Sequence, residues 1–272
     1  MRTIYEFILL FFIFSVGGWI MEVTLKFFQY HRFINRGVLL GPYCPIYGWG
    51  ITILTILLGG ILNVSGSYAE TFIAGTIVCG VLEYLTSLYL EKVFHARWWD
   101  YSNKPMNLHG RIWIGNLLLF GIASTVIVKI IDPIYFHYVA KIPNFLMMII
   151  AITIVVIMAA DSILSHFVLN DVKKTIENVD LDNTEEISKK VRELLKDKNF
   201  LQRRIKDAYP NFQARPKRIV NELKEAKNDV KLYHKEVKRL MKIHNDQMLE
   251  KANKKHEQAL QRLEEIKQKY HT

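Results

Sequence analysis

Long apolar stretches alternate with short polar segments over roughly the first 170 residues of the chain. A helix needs about 20 apolar residues to cross a bilayer, and the sequence predicts five spans, at about Ile4–Phe27, Pro45–Leu62, Ala69–Leu90, Ile112–Ile131 and Pro143–Phe167. Five such stretches in succession argue against buried helices of a soluble protein. The first has one basic residue before it and no small-residue cleavage site, so we expect a span rather than a cleaved signal peptide.

Charge divides the chain near residue 172. Residues 1–172 carry 10 Lys and Arg against 9 Asp and Glu, whereas residues 173–272 carry 26 against 17. The apolar first part excludes a fully disordered chain, and the split excludes a single soluble globular domain. We therefore predict a transmembrane five-helix domain over 1–172 and a basic tail over 173–272. Cys44 and Cys79 indicate neither a disulfide framework nor a zinc site.

The basic residues of the short loops predict the orientation in the membrane. The loop after the first predicted span has three of them and the loop after the third has four, whereas the loop after the second has none. An outside N-terminus and an inside C-terminus place both basic loops and the tail in the cytoplasm. We expect an all-α, polytopic, multi-pass protein of the cell membrane, with the lipid bilayer as its first partner and a cytoplasmic helical or coiled-coil tail.

Carboxylates inside predicted spans are candidate functional residues, because an ionisable group is costly at membrane depth. Glu22 and Asp161 lie near the inner ends of the first and fifth spans and could simply reach interfacial water. Glu83 lies about twelve residues into the third span, in its cytoplasmic half, where a carboxylate must be protonated, paired or hydrated. Glu91 lies about two turns further on, roughly on the same face, and continues a polar stripe toward the cytoplasm.

The loop after the first predicted span cannot form one smooth helix. Pro42, Pro45 and three flanking glycines interrupt an otherwise apolar stretch. Broken backbone at membrane depth is tolerated only where it is buried in protein or lines a wet cavity. Arg36 precedes this break and Tyr47 follows it, so both become candidates for such a cavity.

The loop after the third predicted span concentrates polar and aromatic side chains. Its tryptophans are typical of a lipid headgroup interface, and a carboxylate, amides, an imidazole and a guanidinium follow within twelve residues. We predict a polar cavity that faces the cytoplasm, where Glu83 meets Arg36, Arg97 or Arg111. Its candidate residues are Glu22, Arg36, Tyr47, Glu83, Glu91, Arg97, Trp99, Asp100, Asn107 and Arg111. The alternative is an aromatic belt with ordinary structural ion pairs.

The tail has the pattern of several helices. Residues 173–183 are polar and predict a linker, and Thr184 is placed to cap a helix from Glu185 to about Tyr209. Two prolines then predict a break before a final helical segment.

Apolar residues in that final segment recur in alternating steps of four and three from Ile219 to Leu240, which predicts a helical hairpin or coiled coil. The pattern weakens at His244 and resumes out of phase at Ala252. The basic excess predicts contact with anionic lipids, while interleaved acidic residues argue against nucleic acid.

Short motifs in the two loops carry a family resemblance. They are Asn35-Arg36-Gly37, Gly41-Pro42, Pro45-Ile46-Tyr47-Gly48, Arg97-Trp98-Trp99-Asp100-Tyr101-Ser102, Asn107 and Gly110-Arg111. Together with Glu22 and Glu83, these motifs resemble a family of bacterial membrane proteins, the ABC-transporter permeases of type IV, over about residues 1–130. The resemblance implies transport with a separate ATPase subunit. This chain itself has no glycine-rich phosphate loop that ends in Gly-Lys-Ser/Thr.

Three functions remain open at this point. The first is a permease-like transport component, which needs a homo-oligomer or a partner because five spans are few for a complete pore. The second is a membrane-embedded enzyme that acts on a lipid or polyprenyl headgroup, with Asp100 or Glu83 as its acid or base. The third is a structural or regulatory protein that acts through its tail. No catalytic constellation is complete, and the sequence indicates no cofactor and no metal site.

Overall fold

The computed structural model describes residues 2–61, 67–181, 183–243 and 246–271, and this part of the protein is nearly all-α. The helices are α1 (Arg2–Tyr30), α2 (Pro45–Thr55), α3 (Tyr68–Phe94), α4 (Ile114–Val126), α5 (Asp132–Val139), α6 (Asn144–Glu177), α7 (Thr184–Lys196), α8 (Phe200–Ala208), α9 (Lys217–Ile243) and α10 (Asp246–His271). The strands are β1 (Ala96–Arg97), β2 (Asn107–Leu108), β3 (Ile112–Trp113) and β4 (Gln213–Ala214). Strand β1 pairs antiparallel with β4, and β2 pairs antiparallel with β3.

Four helical stretches in the described residues are long and apolar enough to cross a membrane. They are Thr3–Tyr30, Tyr68–Phe94, Ile114–Val139 and Asn144–Glu177, which correspond to the first, third, fourth and fifth predicted spans. The second apolar stretch forms a shorter helix, Pro45–Leu58, and its predicted end at Leu62 lies outside the described residues. The structure thus contains four helices of spanning length and one short apolar helix.

The predicted end of the fourth span at about Ile131 is wrong, because the helix continues through Asp132 to Val139. A π-helical turn (Ile127–Ile131) joins α4 directly to α5. Asp132 is buried, and its Oδ2 accepts a 2.6 Å hydrogen bond from the hydroxyl of Thr55, at the end of α2. The sequence pattern placed a boundary at the first charged residues, but a helix can carry a carboxylate inward when a neighbouring helix supplies a donor.

Glycines bring the apolar helices close together. A Cβ at Gly75 of α3 would lie 2.3 Å from Ser124 of α4, and a Cβ at Gly80 would lie 2.5 Å from Leu117. On the other side of the bundle, a Cβ at Gly48 of α2 would lie 2.3 Å from the carbonyl oxygen of Phe11. Small residues at such contacts are what helix association in lipid requires, because packing replaces the hydrophobic effect there.

Helix α6 extends to Glu177, so the predicted linker over 173–183 is wrong for its first five residues. Val168, Val172 and Ile176 repeat every four residues on one face of this helix, and all three are buried. The sequence analysis predicted a linker because residues 173–183 are mostly polar, although Ile176 continues the apolar face of α6. As a result, one continuous helix runs from the apolar region into the tail.

The tail departs from its prediction in two further places. Asn183 rather than Thr184 caps α7, because its side chain accepts hydrogen bonds from the N–H groups of Glu185 and Glu186. The helix predicted to reach Tyr209 is divided into α7 and α8.

The last two helices lie antiparallel as a hairpin, in which Arg262 of α10 pairs with Asp229 of α9 at 3.4 Å, and Lys255 lies over the ring of Tyr233. The predicted phase change at His244 lies outside the described residues.

Tail helices and apolar helices share one hydrophobic core. Leu90 and Phe94 of α3 pack in the same buried cluster as Ile187 and Val191 of α7 and Phe212 before β4. The loop after α3 joins this cluster through Trp98, whose ring lies 5.0 Å from that of Tyr209 and 5.8 Å from that of Phe212, between centroids. The charge boundary near residue 172 therefore lies within a helix and beside a shared core.

Candidate functional site

The broken loop between α1 and α2 is held by a carboxylate of α6. Asp161 accepts hydrogen bonds from the backbone N–H of Leu40 at 3.0 Å, from that of Gly41 at 2.8 Å and from the hydroxyl of Tyr43 at 2.5 Å. Ser165 accepts a second bond from the Leu40 N–H. Irregular backbone beside apolar helices needs partners of this kind. Asp161 therefore fixes the loop, whereas the sequence left open that it only reached water.

Glu22 forms the first polar group of the candidate site. Its Oε1 accepts a 2.7 Å hydrogen bond from the Tyr47 hydroxyl, and its Oε2 pairs with Nε of Arg36 at 3.3 Å. A Cβ at Gly18 would lie 2.3 Å from the Tyr47 ring, so only glycine at that position lets Tyr47 lie against α1. Three of the predicted site residues are therefore in direct contact.

Glu83 forms the second polar group and is almost completely buried, at 6% exposure. Its Oε1 accepts hydrogen bonds from the Tyr101 hydroxyl at 3.3 Å and from Nδ2 of Asn116 at 3.4 Å. Asn116 also donates to the Tyr101 oxygen at 2.7 Å. The other carboxylate oxygen, Oε2, is buried without a hydrogen-bond partner. Glu83 thus has neutral donors on one oxygen only.

Glu91 forms the third group, and it holds two arginines. Its Oε2 lies 2.8 Å from Nε of Arg97 and 3.1 Å from Nη2 of Arg111. Arg111 also donates to the Ser87 hydroxyl at 3.1 Å, and Arg97 reaches Asp100 at 3.3 Å. These ion pairs join the end of α3 to the loop that follows it.

The expected pairing of Glu83 with an arginine is not what the ion pairs show. Arg36 pairs with Glu22, whereas Arg97 and Arg111 pair with Glu91. Glu91 lies eight residues further along α3 than Glu83, about 12 Å along the helix axis, and so is closer to the loop that follows. For this reason Arg97 and Arg111 pair with Glu91 and not with Glu83. The structure still places Glu83 in contact with the second loop, through Tyr101.

Trp99 and Asn107 hold the second loop in shape. The indole N–H of Trp99 donates to the carbonyl of Arg111 at 3.1 Å. Asn107 donates to the carbonyls of Ser102 and Lys104 and accepts from the N–H of Gly110 at 2.8 Å. Gly110 has a φ of +67°, and a Cβ there would lie 2.3 Å from the carboxylate of Asp100. Trp99 and Asn107 therefore both form hydrogen bonds with backbone groups of this loop.

Sequence reasoning missed Asn116 as a partner of Glu83 and named Tyr101 only within a loop motif. A signal for Asn116 was present, because it is the one polar side chain among the first nine residues of an otherwise apolar helix, α4. The tail residues that form hydrogen bonds with the loops carried no such signal, since they lie between 113 and 172 residues further along the chain.

The tail covers both loops. Arg36 lies over the Tyr209 ring, 4.5 Å from its centroid, and donates to the carbonyl of Ala208. Gln213 donates to Asp100 at 3.0 Å, and β4 pairs with β1. Arg204 of α8 donates to the carbonyl of Leu39 in the first loop. In this arrangement both loops are packed under the tail.

The pKa values of the Asp100 carboxyl and the Cys44 thiol are shifted in opposite directions. Burial raises the pKa of the Asp100 carboxyl, but hydrogen bonds from Ser102 and the charge of Arg97 outweigh it and bring this pKa below its ordinary value. Burial, with a contribution from the charge of Glu22, raises the pKa of the Cys44 thiol to about 12. Asp100 is therefore a stable anion at neutral pH, and Cys44 is a poor nucleophile because its thiolate is rare.

The open space in the apolar region lies away from these polar groups. A groove of about 580 Å³ runs between α1, α2 and α6, and apolar side chains such as Phe11, Trp49 and Met158 line most of it. Among the described residues, no three His, Cys, Asp or Glu side chains are grouped to hold a metal ion. The polar groups themselves are packed against protein.

Comparison with known proteins gives one match. A family model described as "Putative ABC-transporter type IV" matches residues 9–166. This range includes all ten predicted site residues and excludes the whole of the tail. Searches of curated proteins and of solved structures found no match.

Proposed function

We propose, from the premise that the chain belongs to the ABC-transporter type IV family, that it is a permease-like transport component. The proposed substrate path passes the polar groups around Glu22 and Glu83. The observation that carries this proposal is a pair of neighbouring polar groups, Glu22 with Tyr47 and Glu83 with Tyr101 and Asn116. They are near enough for the charge of Glu22 to act on Glu83. Polar side chains at that depth are costly and are typical of substrate or ion pathways.

The geometry supports a path that is closed in this arrangement. Tyr47 bonds Glu22, and Tyr101 bonds Glu83. The loop that carries Arg36 covers Glu22, and the tail covers that loop. A substrate that entered from the tail side would have to displace these contacts, so the proposal includes an open state in which the loops move.

The proposed topology places the N-terminus outside and the tail in the cytoplasm, with α2 as a fifth, short membrane segment. Ala69 and Asn103 are exposed near opposite ends of α3. A cysteine at Ala69 should react with an impermeant thiol reagent on intact cells, whereas a cysteine at Asn103 should react only after the cells are opened. The reverse pattern would invert the orientation, and labelling of both would mean that α3 does not span.

The proposed partners are a separate ATPase subunit and further membrane subunits, either copies of this chain or another protein. The chain has no phosphate-binding loop of its own, and four spanning helices with one short helix are few for a complete pore. The basic tail, with 26 Lys and Arg in residues 173–272, would also contact anionic lipids at the inner surface, an attraction of about 1 kcal/mol per basic residue near the membrane.

Transport can be tested without knowing the substrate. Inverted membrane vesicles that contain the protein would be incubated with ATP and an extract of small metabolites, and their contents analysed by mass spectrometry. We expect at least one compound to accumulate with the natural sequence and not with Glu83→Gln. Leu85→Ala is the matched control, because Leu85 lies on the same helix and is 53% exposed on the apolar surface. Equal contents for all three proteins would contradict a transport role for the cluster.

A further inference from the structure

We infer that Glu83 is a proton-binding site, which holds a proton in this closed arrangement and releases it when the cluster opens to water. The inference rests on the proposed function only for the opening of the path. The state of the carboxyl group in the closed protein follows from the surrounding charges.

The three arginines that were expected to pair with Glu83 form ion pairs with other carboxylates. Arg36 pairs with Glu22 at 3.3 Å, while Arg97 and Arg111 pair with Glu91 at 2.8 and 3.1 Å. A buried carboxylate that is ionised without a cation is strongly unfavourable, since the protein does not replace the hydration that is lost. Glu83 avoids this cost by carrying a proton.

Among the described residues, the groups that interact with Glu83 are neutral hydrogen-bond donors, a thiol and a second carboxylate. From the second loop and α4 come the Tyr101 hydroxyl and the Asn116 amide. From α1 comes the charge of Glu22, and from α3 itself comes the thiol of Cys79. A second negative charge beside Glu22 would be repelled, because like charges in a site of low dielectric do not both ionise readily.

The hydrogen bonds also indicate where the proton sits. Both donors, Tyr101 and Asn116, bond Oε1 of Glu83, which therefore acts as the carbonyl oxygen. Oε2 is buried and has no hydrogen-bond partner, so no donor occupies the oxygen that would carry the proton. Glu91 has the opposite arrangement, because two guanidinium groups converge on its Oε2 and leave no role for a proton.

Release of the proton is a simple transfer. The O–H bond at Oε2 breaks, a water molecule that enters from the side of Glu22 takes the proton, and Glu83 becomes a carboxylate. Closing reverses the step, since expulsion of water again favours the neutral acid. The site would couple one proton to each opening and closing of the cluster.

Infrared spectroscopy of the full chain in lipid at pH 7 tests this inference directly. A protonated carboxyl group has a carbonyl stretch that is resolved from the bands of carboxylates and amides. We expect this band in the natural protein and its loss or reduction in Glu83→Gln, with no change in Glu70→Gln, because Glu70 is exposed near the other end of α3. Labelling of glutamate with ¹³C should shift the band and so distinguish it from the buried Asp132. An acid band that Glu83→Gln leaves unchanged would overturn the inference.

A second variant covers the case in which Glu83→Gln fails to fold. Tyr101→Phe removes one hydrogen bond to Oε1 and keeps the ring, so it should move the glutamate band to higher frequency without removing it. A band unmoved by Tyr101→Phe would overturn the assignment to Glu83. The spectrum does not depend on transport, so a proton site with normal transport in Glu83→Gln would reject the proposed function, and lost transport without an acid band would reject only the proton site.

Discussion

Two carboxylates on the same helix, Glu83 and Glu91, have opposite surroundings although only eight residues separate them. Glu91 holds Arg97 and Arg111 within 3.1 Å and ties the end of α3 to the loop and, through β1, to the tail. Glu83 has one tyrosine and one asparagine as donors, and one of its oxygens has no partner.

The surroundings of Glu91 and Glu83 suggest different roles for the two carboxylates, one in stability and one in the proposed function. A carboxylate with two arginines keeps its charge, because neutralising it would strand both cations. A carboxylate with neutral neighbours can lose or gain a proton at little cost to the fold. Glu91 is therefore expected to stabilise the fold, and Glu83 is the carboxylate that we propose changes its protonation state.

The largest expected effect is the loss of the Glu91 charge. Glu91→Gln should lower the free energy of unfolding by about 3–5 kcal/mol, because two mostly buried guanidinium groups lose their shared partner. Thermal unfolding of the purified protein in detergent would measure this. Glu70→Gln is the control, since Glu70 is exposed near the other end of α3. A Glu91 variant as stable as this control would remove the contrast on which the comparison rests.

Loosening the tail should weaken the Glu91 region next most strongly. Phe212 is fully buried against Trp98, and Phe212→Ala should cost about 3 kcal/mol of unfolding free energy through the cavity it leaves. Hydrogen exchange should rise in β1 and β4 but not around Tyr101 and Asn116. Phe200→Ala is the matched control, because Phe200 lies in the same tail and is 72% exposed. Faster exchange at both carboxylates would show that the two regions are one unit.

Glu83→Gln should change stability by less than about 1 kcal/mol, since the amide keeps the shape of the side chain and no cation is left unpaired. The same unfolding measurement that shows a large loss for Glu91→Gln would show a small one here. A loss as large as that of the Glu91 variant would mean that Glu83 is ionised and paired in the folded protein. Glu83→Ala should cost more, because it leaves a cavity.

The smallest expected effect is a pH dependence at Asp100, in the loop beside the Glu91 region. Its pKa is lower in the folded protein than in the unfolded chain, where it is about 3.9. The stabilisation is therefore present above pH 4 and is lost as the pH falls through the lower, folded value. Asp100→Asn should reduce the difference in melting temperature between pH 6 and pH 3, and Asp197→Asn should leave it unchanged. An equal difference in all three proteins would remove the predicted contribution.

Apolar length determined most of the membrane region in advance, because a run of some twenty apolar residues has few stable conformations in lipid other than a helix. Four helices of spanning length among the described residues, and Glu22 and Glu83 as candidate residues, follow from the sequence on that ground. The break at Pro42 and Pro45 was equally predictable. The continuation of the helix past Asp132 could not be predicted, because the buried Asp132 carboxylate needs a hydrogen bond from the hydroxyl of Thr55, 77 residues earlier.

The sequence by itself determined where charge would be expensive, and only the tertiary structure decided which charges were compensated. Depth within a span identified Glu83 as unusual, but sequence spacing allowed Arg36, Arg97 or Arg111 to reach it. The fold assigns those arginines to Glu22 and Glu91 and brings Tyr209 and Gln213 of the tail onto the loops. The tail and the loops that it contacts are more than a hundred residues apart in the sequence, whereas ionic contacts act over a few ångströms. Local sequence therefore fixes the cost of a buried charge, and the packing of distant segments decides how that cost is met.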